Sequence, residues 1–134
     1  MFASGATERR AGLWVGLATA ALLSACAGEQ TPEERVMARA QDRLELLMAG
    51  DFEESMRYTT PSYRQSRTLD YYTRAFLGAA GWEDVEVVEA VCDNAACDVT
   101  YKLTYPTLQS GLVNTRTMAE RWIQVDGDWF IYLK

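Results

Sequence analysis

The spacing of the apolar residues changes once along this chain, near Trp82, and this change limits the possible folds more than any other feature. Between residues 31 and 77, apolar side chains recur every three or four positions, which is the spacing of one helix face. After Trp82 they alternate with polar side chains, which is typical of strands with one buried face. Helices followed by antiparallel strands predict one α+β domain over residues 31–134.

Three helices are expected in the first half. Thr31-Pro32-Glu33-Glu34 combines a capping threonine, a proline suited to the first helical position and a glutamate that completes a capping box. Gly50 ends this helix, Asp51-Phe52-Glu53-Glu54 repeats the capping pattern for a short second helix, and Pro61 ends that one. A third helix is expected from about Thr68 to Leu77. It would bury three side chains, Leu69, Tyr72 and Phe76.

The first helix has an apolar stripe that we expect to face the sheet. Its members are Val36, Ala40, Leu44 and Leu47. Four charged residues flank the stripe and are predicted to lie outside it: Arg35, Arg39, Arg43 and Glu45. An apolar stripe with charged flanks is typical of a helix that packs on one side only.

The second half of the chain predicts two hairpins. Residues 84–92 and 97–105 form the first pair of strands, joined by a four-residue loop. This register places Ala90 opposite Val99 and Val88 opposite Tyr101. Continued further, it would place a glutamate opposite a core leucine. We therefore expect a bulge near Glu86-Val87 that returns the preceding valine to the core.

The second predicted hairpin turns at Asp126-Gly127, between strands at residues 112–125 and 129–133. Trp122 then lies opposite Ile131, and Ile123 lies opposite Phe130. Both faces of this hairpin therefore carry large apolar side chains. One face is expected to pack on the helices, and the other to face a partner, a pocket or another strand.

A charged and then apolar segment precedes the predicted domain. Arg9 and Arg10 are followed by an apolar run over residues 11–23, which is too short to cross a hydrocarbon core of about 30 Å. The next residues complete Leu23-Ser24-Ala25-Cys26, which resembles the lipobox of bacterial lipoproteins. The resemblance implies a signal peptide at residues 1–25, a diacylglycerol with acyl chains such as palmitate on Cys26, and a lipidated tether at residues 26–30. The alternative is an ordinary cleaved signal peptide with a chance cysteine.

The same resemblance implies an exported, membrane-attached protein. Ala27 follows the cysteine where an aspartate would favour the inner membrane. A Gram-negative host would then hold the protein on the outer membrane facing the periplasm, and a Gram-positive host on the outer face of its plasma membrane. Loss of Glu8, Arg9 and Arg10 with the leader changes the formal net charge from −6 to −7. Such an acidic domain repels a phosphate backbone, so nucleic acid is not expected as a partner.

The two remaining cysteines, Cys92 and Cys97, are expected to form a disulfide. With Cys26 acylated they are the only thiols left, and an oxidising compartment favours their pairing. Two free thiols are the alternative. Neither a metal nor another cofactor is expected, because the chain contains no histidine and two cysteines supply only half of a zinc site.

The chain offers few residues for catalysis. Without histidine, neither a Ser-His nor a Cys-His nucleophile system can form. An enzyme would need Asp or Glu together with Tyr, as in isomerases that abstract a proton next to a carbonyl. The candidate carboxylates are Asp70, Glu89 and Glu120. Tyrosines on amphipathic strands usually pack in a core or at its rim, so catalysis is not the leading interpretation.

Three short motifs occur in a fixed order. They are Ala-Gly-Asp-Phe-Glu-Glu-Ser at residues 49–55, Thr-Pro-Ser-Tyr-Arg at 60–64 and Trp-Ile-Gln-Val-Asp-Gly-Asp-Trp at 122–129. Together they resemble the nuclear transport factor 2-like superfamily. The resemblance implies a cone-shaped fold in which N-terminal helices pack on a curved antiparallel sheet, an apolar pocket between the two layers, and frequent dimerisation. Candidate ligand-binding residues in such a pocket are Tyr63, Tyr72, Tyr101 and Trp122.

The leading hypothesis is therefore a non-enzymatic, membrane-anchored domain of the cell envelope that binds a small apolar ligand or a protein partner, including a second copy of itself. Two alternatives remain open. One is an isomerase or dehydratase that uses Asp or Glu with Tyr. The other is a structural accessory subunit of an envelope complex.

Overall fold

The computed structural model describes residues 28–134, so the predicted signal peptide and Cys26 lie outside the described residues. Four short or medium helices precede four strands, as the change of period at Trp82 predicts. The order is α1 (Pro32–Met48), α2 (Phe52–Met56), α3 (Pro61–Ser66), α4 (Leu69–Phe76), a 3₁₀ helix (Leu77–Gly81), β1 (Asp84–Asp93), β2 (Ala96–Pro106), β3 (Val113–Val125) and β4 (Asp128–Ile131). Among the described helices, none is both long and apolar enough to cross a membrane.

The capping box begins α1 as predicted. The backbone N–H of Thr31 donates to Glu34 Oε2 at 2.8 Å, and the backbone N–H of Glu34 donates to Thr31 Oγ1 at 3.2 Å. Gly50 follows the helix with a φ of +78°, a conformation that favours glycine. Asp51 then caps α2 by accepting from the backbone N–H of Glu54 at 3.3 Å.

The helix that begins at Pro61 was not predicted. Pro61 occupies the first position of α3, with Thr60 as the cap that accepts from the backbone N–H of Tyr63 at 3.3 Å. Proline ends one helix and suits the first turn of the next, and the sequence analysis recognised only the first role. The predicted third helix is confirmed as α4, where Tyr72 is fully buried and Leu69, in the first turn, is exposed.

The four strands form one antiparallel sheet in the order β1-β2-β3-β4. Val85 lies opposite Leu103 and is buried, as predicted. The predicted bulge is present but lies one residue further along, at Val88. As a result Val87, and not Val88, lies opposite Tyr101. The bulge shifts the side-chain alternation by one position and so keeps valines on the core face along both halves of β1.

The disulfide between Cys92 and Cys97 is present, with an S–S distance of 2.02 Å. The predicted four-residue loop is shorter in the structure, because Asp93 still pairs with Ala96 and only Asn94 and Ala95 form the turn. Asn94 has a φ of +50°, which asparagine tolerates better than most residues.

The second hairpin has the predicted register, with Trp122 opposite Ile131 and Ile123 opposite Phe130. Both turn residues have a positive φ, +51° at Asp126 and +85° at Gly127, as a two-residue hairpin turn of the primed type requires. Of the two apolar faces, the one with Trp122 and Ile131 is buried against the helices. On the other face the guanidinium groups of Arg39 and Arg64 lie 5.5 and 5.6 Å from the centroid of the Phe130 ring.

One glutamine connects α1 to the outer edge of the sheet. The Gln41 side chain accepts from the backbone N–H of Val87 at 2.8 Å and donates to the carbonyl of Val85 at 3.0 Å. These are the groups that a fifth strand would use, so Gln41 satisfies and shields the edge of β1 beside its bulge.

Candidate functional site

The concave face of the sheet lies under the helices, and the strand register identifies its residues, because cross-strand partners share a face. On β2 it carries every second residue from Cys97 to Tyr105, and on β3 it carries Arg116, Met118, Glu120 and Trp122. Burial changes along this face, from fully buried at Trp122 to exposed at Arg116. The face therefore has a closed end and an open end.

Two buried apolar clusters fill the space between the helices and the sheet. The first contains Leu44, Leu47, Met56, Tyr63, Tyr72, Ala79, Val85, Tyr101 and Leu103. The second contains Val36, Ala40, Cys97, Val99, Trp122, Trp129 and Ile131. Arg43 of α1 and Glu120 of β3 lie where the two clusters meet. We call these two residues the buried ion pair.

The buried ion pair is almost completely enclosed. Arg43 Nη1 lies 3.1 Å from Glu120 Oε2, and the side chains are 1% and 10% exposed. Trp122 Nε1 donates to the other carboxylate oxygen, Oε1, at 2.9 Å. The guanidinium also lies 4.9 Å from the centroid of the Phe76 ring. Two Arg43 donors, Nε and Nη2, are buried without a hydrogen-bond partner.

Burial determines the proton affinity of these groups. Burial raises the pKa of the Glu120 carboxyl, and the charge of Arg43 and the hydrogen bonds from Trp122 and Arg43 oppose that shift. Burial also raises the pKa of the neighbouring Tyr101 phenol to about 12, with a further increase from the negative charge of Glu120. Tyr101 therefore keeps its proton at neutral pH and can act as a hydrogen-bond donor.

The open end of the concave face forms a groove of about 320 Å³, which we call the open groove. It is lined by Trp82, Leu103, Tyr105, Arg116 and Met118. The Tyr105 hydroxyl accepts from the Asn114 amide at 3.0 Å, which fixes one side of the groove. The Trp82 ring lies 6.4 Å from the Tyr101 ring and so forms the boundary between the open groove and the buried interior.

Two other depressions lie near or beyond this face. One of about 220 Å³ lies on the other side of Trp82, against Phe76 and Ala79. A larger one of about 420 Å³ lies beside the outer part of α1, with Asp42, Glu45 and Tyr58 in its lining. The larger depression touches neither the concave face nor the buried ion pair. The open groove is the better candidate for a binding site, because it combines aromatic faces, apolar side chains and one cation.

The structure places three of the four predicted ligand-binding residues in the first cluster. Tyr63 and Tyr72 pack edge to face with centroids 6.3 Å apart, and the Tyr72 hydroxyl is 2.8 Å from Ser55 Oγ. Tyr101 borders the open groove through its contact with Trp82. Trp122 lies in the second cluster, where it supports Glu120. The structure thus brings Tyr63, Tyr72 and Tyr101 together and separates Trp122 from them.

The sequence analysis missed Arg43, which it placed outside the apolar stripe of α1. Arg43 is buried because it lies seven residues after Val36, three after Ala40 and four before Leu47, all of which are on the buried face. That spacing was visible in the sequence, but a charge at such a position is rarely buried without a partner. The partner, Glu120, is distant in sequence and was identified only as a candidate carboxylate.

No group of three or more His, Cys, Asp or Glu residues that could hold a metal ion occurs among residues 28–134. The lipid site predicted at Cys26 lies outside the described residues. The described part of the tether, residues 28–30, is exposed and leads directly into α1.

Solved structures similar to this chain have the nuclear transport factor 2-like fold. A provisionally named NTF2-like transpeptidase from Campylobacter jejuni has a TM-score of 0.55 at 16% identity, over 71% of this chain and 94% of that one. An NTF-2-like protein of unknown function from Shewanella oneidensis has a TM-score of 0.52 at 14% identity, over 72% and 91%. A SEC-C motif protein from Rhodopseudomonas palustris has a TM-score of 0.55 at 14% identity, over 70% and 72%.

These likenesses, with the order of helices and strands, show that the predicted α+β, nuclear transport factor 2-like fold is correct. No protein-family model matches the chain. No curated protein matches it either. Since one fold serves many functions, the likenesses leave the activity to be argued from the site.

Proposed function

We propose that this protein is a lipid-anchored domain of the bacterial cell envelope that binds a small, largely apolar ligand in the open groove and catalyses no reaction. The observation that supports it most is the composition of the groove. Trp82, Tyr105 and Met118 offer flat or flexible apolar surface, and Arg116 is the one charged group. Arg116 forms no salt bridge with any of the described residues. An apolar ligand with one acidic group fits this combination.

Anchoring rests on the lipobox and on the short distance to the domain. Residues 26–30 are all that separates Cys26 from the cap of α1 at Thr31. Extended, this tether spans at most about 17 Å. Two or three acyl chains on Cys26 would therefore hold the domain close to the bilayer surface.

The buried ion pair supports a structural role over a catalytic one. Both Glu120 oxygens are occupied, one by Arg43 and the other by Trp122. A general base must reach the proton that it abstracts, either directly or through one water molecule. With 10% of the Glu120 side chain exposed, a substrate could reach it only if neighbouring side chains moved.

An isomerase-type activity is the second candidate, and one observation favours it. A buried carboxyl with a raised pKa, Glu120, lies near a protonated phenol, Tyr101, which are the two groups such a mechanism needs. Glu120 would take the proton next to a substrate carbonyl, and Tyr101 would donate a hydrogen bond to the resulting enolate oxygen. Loss of an activity in Glu120→Gln and its strong reduction in Tyr101→Phe would support this candidate over simple binding.

Ligand binding can be tested with the dye anilinonaphthalene sulfonate, which is apolar and carries one negative charge. We expect saturable binding to residues 28–134 that weakens at least about fivefold in Trp82→Ala and in Arg116→Ala. Val91→Ala is the matched control, because Val91 is exposed and apolar but lies on β1 outside the groove. Equal weakening in the control, or no saturable binding at all, would contradict the proposal.

Anchoring can be tested by metabolic labelling of the full chain with a radioactive or clickable palmitate analogue. We expect label and membrane association in the native sequence, and neither in Cys26→Ser. The matched control is Cys92→Ser/Cys97→Ser, which should label normally. A soluble, unlabelled native protein would refute the anchor and leave the groove untouched.

A further inference from the structure

The tip of the β2–β3 hairpin is unusually apolar for this protein. Residues 103–115, which we call the distal arm, include no charged side chain, whereas 24% of the whole chain is charged. Leu108 is fully exposed at the tip, and Leu112 and Val113 are each 55% exposed. Leu103 and Tyr105 of the arm also line the open groove. The exposed apolar surface is thus continuous with the groove, which is typical of an interaction surface.

The distal arm lies far from the start of the domain. Strand β3 runs 13 residues from Val113, at the arm, to Val125. The turn after it lies beside the start of α1, because Gly127 lines the same depression as Gln30 and Arg35. At about 3.3 Å per residue, the arm is roughly 40 Å from the point where the tether enters the domain. An anchored domain can therefore hold its arm well above the bilayer.

We propose that the distal arms of two copies pack on each other across a two-fold axis, so that the arm of the second copy forms the missing wall of the open groove. The proposal deepens the proposed function and rests on it, because the groove is the same site. Copies attached through the same residue would stand in the same orientation with their arms at the same height. A two-fold axis along the membrane normal then brings identical surfaces together, as an isologous dimer requires.

Charge favours a second copy at this surface. The domain has a net charge of about −7 without its leader, so two copies repel each other over most of their surfaces. The uncharged arm is the place where they meet with least repulsion. The outer face of the sheet is less suitable, because it carries polar and charged groups such as the exposed Asp98–Arg121 pair at 2.8 Å.

Sedimentation velocity of residues 28–134 over a range of concentrations tests the dimer. Both core clusters lie within this range, so the domain is complete without the leader. We expect a monomer–dimer equilibrium that added salt strengthens, and a dissociation constant at least about tenfold higher in Leu108→Glu. Val91→Glu is the matched control, since Val91 is 60% exposed on β1, and it should dimerise normally. A monomer at all concentrations, or equal weakening by Val91→Glu, overturns the proposal.

Two further measurements separate this proposal from its neighbours. If the wild-type domain binds phosphatidylcholine vesicles and Leu108→Glu does not, a lipid surface covers the arm and the dimer is refuted. Dye binding by Leu108→Glu, weaker than in the wild type, supports completion of the groove by the second copy. A dimer that fails to bind dye would refute the proposed ligand function alone, whereas dye binding by a strict monomer would refute the dimer alone.

Discussion

Removing one member of the buried ion pair should destabilise the domain far more than removing both. Arg43→Met keeps most of the aliphatic volume of the arginine but leaves the Glu120 carboxylate buried, with Trp122 as its one remaining partner. Breaking a buried pair in this way costs about 3–5 kcal/mol. In a domain of this size the melting temperature would fall by more than about 10 °C.

The double variant Arg43→Met/Glu120→Gln should recover most of this loss. It contains no buried charge, and it also removes the two arginine donors, Nε and Nη2, that have no partner. Each such donor is itself unfavourable by about 1–3 kcal/mol. We therefore expect the double variant to lie within about 1 kcal/mol of the wild type, although Arg43→Met alone is strongly destabilised.

The effect of pH supplies an independent check on the same variants. Without the opposing charge of Arg43, burial should raise the pKa of Glu120 still further in Arg43→Met. A folded-state pKa above the unfolded value adds stability at low pH, and this stability is lost as the pH rises through the folded pKa. The deficit of Arg43→Met should therefore be smaller at about pH 5 than at about pH 8, and Glu120→Gln should lack this dependence.

Urea denaturation of the four proteins at both pH values measures these free energies. The reasoning is refuted if the loss in the double variant equals the sum of the two single losses. It is also refuted if the deficit of Arg43→Met is the same at both pH values. Should Arg43→Met fail to fold, the comparison of Glu120→Gln with the double variant still tests the coupling.

Three further variants test local features of the fold. Cys92→Ser/Cys97→Ser should lose only about 2 kcal/mol in urea denaturation, because the closed loop is short; a loss of most of the stability would contradict this. Gln41→Leu removes the partners of two backbone groups on β1, so we expect a loss of about 1–2 kcal/mol and faster exchange of the Val87 amide proton; unchanged exchange would argue against the edge role. Tyr101→Phe should remove the component near pH 12 from the ultraviolet titration of the tyrosines, and a titration unchanged there would show that the phenol is not buried.

Much of the fold was predictable because its signals are local. A capping box needs only Thr31 and Glu34, and the two-residue turn needs only Asp126 and Gly127. The change of period at Trp82 separates the helices from the strands for the same reason. Pro61 was misinterpreted because proline is compatible with both the end of one helix and the start of the next, and the sequence pattern does not distinguish them.

The candidate site was harder to predict because it depends on contacts between distant elements. Arg43 and Glu120 are separated by 77 positions, and neither α1 nor β3 alone reveals that a charge is tolerated inside. The bulge was expected from the alternation of β1, but its position at Val88 depends on how β1 fits against Gln41. The open groove depends on where the helices end relative to longer strands, which no local pattern encodes.

The central claim is that the open groove binds the ligand, and mapping the dye site by NMR tests it most directly. Two-dimensional amide and indole spectra of residues 28–134 would be recorded during titration with anilinonaphthalene sulfonate. We predict saturable shifts at the Trp82 indole N–H and at the amides of Leu103, Tyr105 and Met118. Shifts centred instead on the depression beside Asp42, Glu45 and Tyr58, or shifts that never saturate, would contradict the claim.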